Sequence, residues 1–246
     1  MSALLSIVNL SKRFGGLVAT RDLSLDIFEG ETHALIGPNG AGKTTLIAQL
    51  QGDLPPSGGD ILFRGKNLVG LSADRRARLG LARSFQITAI LPDFTVLENV
   101  SLAVQARLGH SFRFWRAASR DPKLVGPARE ALARVGLAEL ATMPANLLSH
   151  GARRQLELAI ALAMKPALLL LDEPMAGMGK AEAAAMVRLL RELKRSYTIL
   201  LVEHDMDAVF SLADRVSVLV AGAIVATGTP DEIRDNPAVR AAYLGH

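Results

Sequence analysis

Gly37-Pro38-Asn39-Gly40-Ala41-Gly42-Lys43-Thr44 decides how this sequence folds. It follows the apolar run His33–Ile36 and precedes a helical pattern from Thr44 to Gln51, closed by Gly52. The stretch fits G-x-x-x-x-G-K-[ST] at every fixed position. A loop of this composition lets backbone N–H groups converge on phosphate oxygens, with glycine wherever a Cβ would clash. The helix opening at Lys43 adds its positive end. The Lys43 ammonium reaches the phosphates, and the Thr44 hydroxyl is placed for Mg²⁺. A glycine-rich turn with an incidental lysine is the plainer alternative. A strand before and a helix after are the context that phosphate binding requires, and both are present.

Working outward, Leu4–Leu10 and Leu23–Phe28 read as strands, the second with Leu23, Leu25 and Ile27 at the period of a sheet with one solvated face. Beyond the Pro55–Gly59 loop come the short run Ile61–Phe63, a turn at Arg64–Asn67 and a basic helix near Ser72–Leu79. Leu81–Gln86 reads as a further strand. Arg83 and the cluster Arg75, Arg76 and Arg78 read as a solvated face. From Thr95 to Leu148 the pattern is helical, opened by Thr95 and Glu98 at capping-box spacing. A second helix is expected from about Pro127 to Val135 and a third from Ala152 to Met164. Strands and helices then alternate through Ala167–Leu171, Ala181–Lys194, Thr198–Val202, Met206–Leu212 and Arg215–Val220. That order predicts an α/β fold with a mostly parallel sheet and a helical insertion.

Composition narrows the function classes. Half of the 246 residues are hydrophobic and 21% are charged, which excludes a disordered chain. The absence of cysteine excludes disulfides, thiolate metal sites and cysteine nucleophiles together. A net charge of +4 is a mild bias that suits nucleotides, lipid surfaces or nucleic acid equally. Met1–Phe14 lacks the apolar core of a signal peptide. The most apolar stretch, Leu156–Leu171, is broken by Lys165-Pro166, so no membrane span is expected.

A second chemical motif follows that stretch. The apolar strand Ala167–Leu171 ends in Asp172-Glu173-Pro174, and parallel sheets gather ligands at the carboxyl ends of their strands. Asp172 would hold Mg²⁺ through water, and Glu173 would polarise an attacking water as general base. A pair of solvated strand-end carboxylates is the alternative, weakened by the phosphate loop in the same chain.

Leu148-Ser149-His150-Gly151-Ala152, opening a helix before that pair, resembles the signature of ATP-binding cassette (ABC) ATPases. Phe14, Gln86 and His204 match the remaining family motifs in order, and the likeness covers essentially the whole chain. Ala82-Arg83-Ser84-Phe85-Gln86, the long insertion after it and the ending Asn236-Pro237…Ala242-Tyr243-Leu244-Gly245 are similar to the branched-chain (hydrophobic) amino-acid uptake subfamily. The resemblance implies a P-loop NTPase core of ABC type, with an N-terminal antiparallel β subdomain and an inserted α-helical subdomain. It puts residues 1–246 in a single nucleotide-binding domain, with a core of 1–86 and 165–246 and a helical part of about 87–164.

The implied ligands are ATP and Mg²⁺. The nucleotide would meet Phe14 under its adenine, Gly37, Pro38, Asn39, Gly40, Ala41, Gly42, Lys43, Thr44 and Thr45 around its phosphates, and Ser149 and Gly151 from the opposite subunit. Thr44, Gln86 and Asp172 would serve the metal. Glu173, His204 as γ-phosphate sensor, Gln86 and Lys43 would carry catalysis. The implied partners are membrane-spanning permease subunits, a second ATP-binding subunit, identical or different, and indirectly an extracytoplasmic solute-binding protein. Nucleic acid is not among them. The implied location is peripheral, on the cytoplasmic face of the inner membrane.

Three positions depart from the family pattern: His150, Ala152 and Gly179, the last in the loop Met175–Lys180 after the acidic pair. His150 is expected to face solvent or the partner rather than join the chemistry. These changes point to a competent but slow ATPase. Within 107–123, Phe112, Phe114 and Trp115 interleave with Arg113, Arg116 and Arg120, either as a contact with the membrane subunit or headgroups, or as a loop packed under the helical insertion. Two rival readings are an ABC ATPase acting on nucleic acid or ribosomes, and a module that holds ATP without turnover. A single phosphate loop and the lack of sustained heptads weigh against the first, and intact Lys43, Asp172, Glu173 and His204 against the second.

Overall fold

The computed structural model describes residues 2–84, 90–109, 121–237 and 239–240. Its strands are β1 (Ala3–Phe14), β2 (Leu17–Phe28), β3 (Thr32–Ile36), β4 (Gly58–Phe63), β5 (Lys66–Asn67), β6 (Leu81–Ser84), β7 (Leu168–Asp172), β8 (Thr198–Val202), β9 (Arg215–Val220) and β10 (Ala223–Gly228). Its helices are α1 (Lys43–Gln51), α2 (Ala73–Arg78), α3 (Val96–Leu108), α4 (Pro122–Arg134), α5 (His150–Ala163), α6 (Lys180–Leu193), α7 (Met206–Leu212) and α8 (Pro230–Asp235).

Two sheets organise these elements. The first, antiparallel, runs β2-β1-β4-β5. The second runs β10-β9-β3-β8-β7-β6, parallel except for the antiparallel edge strand β10. The expected α/β architecture is therefore present. Its central strands β3, β7 and β8 are buried along their whole length, as a parallel sheet covered on both faces requires. Period-two alternation divides them between two cores. Leu168, Leu170, Leu200 and Val202 pack with α1 and the first sheet. Leu169, Leu171, Ile199 and Leu201 pack with the helices of the insertion and α6.

Several local outcomes differ from the sequence expectation. Arg64 and Gly65 both have left-handed φ, 49° and 76°, so the expected turn closes a tight β4–β5 hairpin. Helix α4 begins at Pro122 rather than near Pro127, because Asp121 caps it by accepting from the Lys123 N–H at 3.0 Å. Pro127 then lies inside the helix and removes a donor only from the carbonyl of the exposed Lys123. Arg76 is 2% exposed, not on a solvated face. Its guanidinium donates to the Gln49 and Leu50 carbonyls, both at 2.7 Å, and to the Leu71 carbonyl at 3.0 Å. The last turn of α1 lies in the interior, where its orphan carbonyls need such a donor. Strand β10 and helix α8 were not anticipated. The Thr229–Glu232 capping box and Pro230 in the first turn mark the start of α8.

Candidate functional site

The first layer of the site is backbone. Buried β3 delivers Gly37 beneath the loop, where an added Cβ would lie 2.2 Å from the Leu219 carbonyl oxygen. At Gly42, with φ 109°, a Cβ would lie 2.4 Å from the Ala19 carbonyl oxygen. Gly40 also has a left-handed φ, 78°, yet nothing lies within 4 Å of its Cβ position. The loop is thus fixed from below and open above, the form that a ligand-facing cradle takes.

Lys43 lies inside that cradle. It is 8% exposed, and its ammonium donates to the Gly37 carbonyl at 2.5 Å and the Pro38 carbonyl at 3.1 Å. Burial pulls its pKa down, while the Glu173 and Asp172 carboxylates pull it back up. Above the loop opens a cleft of about 280 Å³ whose walls include Phe14, Asn39, Lys43, Thr44, Thr45 and Glu173. Phe14 is 47% exposed, with the Lys12 ammonium 5.2 Å from its ring centroid. An exposed aromatic face at a cleft mouth is a surface for stacking a base.

The carboxylates arrive on neighbouring strands. Leu35 of β3 and Asp172 of β7 both pair with Val202 of β8, so the three strand ends lie side by side. Asp172 is buried at the end of β7, and burial pushes its carboxyl up against the opposing effect of Arg83, 2.9 Å away. Glu173 adopts a left-handed φ of 49° while its N–H donates to the Val202 carbonyl at 2.9 Å. For a side-chain-bearing residue that conformation is strained, and the fixed N–H holds it. The result is a carboxylate on the cleft wall. His204 stands nearby, 65% exposed at its side chain, with Nδ1 3.8 Å from Glu173 Oε1.

Ser149 and Gly151 are elsewhere. Neither is on the walls of this cleft. Ser149 Oγ accepts from the Ala152 N–H at 3.2 Å and caps α5. A Cβ on Gly151 would lie 2.8 Å from Glu182 Oε1, in the first turn of α6. Glu182 in turn accepts from the Gly179 N–H at 3.3 Å. His150 is exposed but engages its own chain, its Nε2 donating to the Ala176 carbonyl at 3.2 Å. It is exposed, as expected, and this contact to its own chain is an addition to that expectation. Gln86 and the basic-aromatic residues between 110 and 120 lie outside the described residues.

The donor set fits a magnesium ion that arrives with a phosphate ligand. Among the described residues no group of His, Cys, Asp and Glu could hold a metal by itself. A hydroxyl at Thr44 and one carboxylate at Asp172 beside an open phosphate cradle match the habit of Mg²⁺, which binds through one or two carboxylates plus substrate phosphates.

Two residues of the site were missed in the sequence. Arg83 was read as solvated, yet its side chain is 11% exposed; the available signal was its place in a strand beside buried β7. Glu203, 1% exposed, accepts from the Met175 N–H at 3.2 Å and the His204 N–H at 3.0 Å. It ties the loop after Glu173 to the start of the His204 loop, and its signal was a carboxylate directly after an apolar strand.

Comparison with known proteins bears on what binds here. The sequence matches the family described as ABC transporter over residues 20–176. It matches that described as branched-chain amino acid ATP-binding cassette transporter over residues 223–246. It is 40% identical to the high-affinity branched-chain amino acid transport ATP-binding protein LivG of Escherichia coli K12, covering 98% of each chain. It is 38% identical to the corresponding protein BraF of Pseudomonas aeruginosa, again over 98% of each. An ATP-binding cassette of an ABC transporter solved in its ADP conformation superposes with a TM-score of 0.87 at 28% identity, covering 100% of both chains.

Proposed function

This chain belongs to the ABC transporter ATP-binding family, and from that premise we propose that it powers an importer for branched-chain or other hydrophobic amino acids. It is an ATPase. The observation that carries the site reading is Glu173 on the wall of the same cleft as Lys43, Thr44 and the open side of the phosphate loop.

Each described residue has a task that its position permits. The loop 37–45, through its N–H groups other than at Pro38, and the Lys43 ammonium bind the β- and γ-phosphates, and Phe14 stacks on the adenine. Thr44 and Asp172, with Gln86, are the residues that would hold Mg²⁺, which supplies positive charge against the phosphates when bound. Glu173 Oε1 takes the proton of the attacking water, and His204 orients on the γ-phosphate. Glu203 holds both loops in register. Ser149 and Gly151 lie away from this cleft and, as the family resemblance implies, serve that of a second ATP-binding subunit; in an isologous pair each subunit returns the contact. Residues 1–246 act as one nucleotide-binding domain, core 1–86 and 165–246, with the helical part 87–164 carrying the signature.

The chain works peripherally, at the cytoplasmic face of the inner membrane, beneath separate permease subunits and in indirect dependence on an extracytoplasmic solute-binding protein. No described helix is long and apolar enough to cross a membrane. The test is complementation with a biochemical readout. Cells lacking this chain are expected to lose leucine, isoleucine and valine uptake, and the wild-type chain to restore it. Glu173→Gln should bind ATP, restore nothing, and hydrolyse about 100-fold more slowly or worse. Wild-type hydrolysis by that variant overturns the catalytic assignment, and unchanged uptake in the deleted cells overturns the solute.

A further inference from the structure

The ion pair between Arg83 and Asp172 has no task in the account above, and both side chains are nearly enclosed, at 11% and 3% exposed. Arg83 lies in β6, and its Nη2 donates to Asp172 Oδ2 at 2.9 Å. Its Nη1 donates to Oε1 of Gln51, the last residue of α1. The same helix begins at Lys43 and Thr44. One guanidinium therefore joins the far end of the phosphate-loop helix to the carboxylate at the end of β7.

We infer that Arg83 is a positioning residue: anchored on Gln51, it occupies one oxygen of Asp172 and fixes the direction in which the other faces the phosphate loop. The carboxylate torsion of an aspartate is broad and soft. A planar guanidinium holding one oxygen, itself held by a second acceptor, removes that freedom in a way a lysine could not. Partners in the outer shell of a metal site act in this manner, and their loss typically costs roughly 10- to 100-fold in metal affinity.

The inference rests on reading Asp172 as a magnesium ligand, and the experiment separates the two. A non-hydrolysable ATP analogue is titrated calorimetrically into wild-type and Arg83→Gln protein, first in chelator and then at rising Mg²⁺. The wild type should bind more tightly with Mg²⁺. Arg83→Gln should bind equally well in chelator and need roughly tenfold more Mg²⁺ for the same gain. Arg83→Lys should fall between the two, and Gln51→Ala should shift the requirement in the same direction by less. If Arg83→Gln does not fold, Gln51→Ala carries the test, because it removes the anchor and leaves the pair.

A folded Arg83→Gln with the wild-type Mg²⁺ requirement overturns the inference, as does an equal loss of binding in chelator, which marks a general structural role. A wild-type chain whose analogue binding ignores Mg²⁺ overturns the reading of Asp172, and this inference with it.

Discussion

The two ends of the proposed nucleotide site are built on different principles. At the phosphate loop, backbone meets backbone: the Cβ positions of Gly37 and Gly42 fall 2.2 and 2.4 Å from main-chain oxygens. At the start of α5, contact is made by side chains, with Glu182 beneath Gly151 and His150 reaching the Ala176 carbonyl. Backbone clashes cannot be relieved by rotamer changes, whereas the far end of a glutamate can swing away. The first surface is therefore intolerant of substitution, and the second, which carries His150, Ala152 and Gly179, is the more tolerant.

A series of three alanine substitutions separates these regimes. Gly37→Ala should destabilise the fold by about 3 kcal/mol or more, since either β3 or β9 must move. Gly151→Ala displaces only the Glu182 carboxylate and should cost about 1 kcal/mol. Gly179→Ala should be neutral within about 0.5 kcal/mol, because its φ is −69° and nothing lies within 4 Å of its Cβ position. Thermal or denaturant melts read the order directly. Equal costs at Gly37 and Gly151 would erase the contrast.

The cap of α3 gives a smaller and pH-dependent effect. Thr95 and Glu98 bond reciprocally, and the Thr95 N–H and hydroxyl hold the Glu98 carboxyl below its ordinary 4.5. A folded-state value below the unfolded one means that the contribution is complete above the ordinary value and is lost as pH falls through the folded one. Thr95→Ala should cost about 1 kcal/mol near neutrality. The gap to wild type should shrink on acidification through that range, as read by melts at several pH values. A gap independent of pH would show that Glu98 takes no part in the cap.

The same contrast explains what the sequence could reveal. The placement of Gly37–Thr44 after β3 and of Asp172-Glu173 at the end of β7 was legible because it is local: each follows directly on a buried strand. The buried strands and the α3 cap were legible for the same reason. Arg76, Arg83 and Glu203 were not. Their tasks are set by partners distant in sequence: Arg76 by the interior end of α1, Arg83 by Gln51 and Asp172, and Glu203 by Met175. A charged residue beside others of its kind reads as solvated until tertiary packing shows what it closes. The start of α4 was placed too late, near Pro127, because a proline suits a first helical turn and the structure uses Pro122 there instead.

The central claim is that the two ends of the site come from two copies of this chain, which meet only across bound nucleotide. The direct measurement is the solution mass of Glu173→Gln protein with and without Mg-ATP. Without its proton acceptor the cleft should retain ATP, and the mass is predicted to rise from monomer to dimer on adding nucleotide. A protein that binds ATP yet keeps the monomer mass would contradict the claim. It would place the partner surface for this cleft on a different cassette subunit.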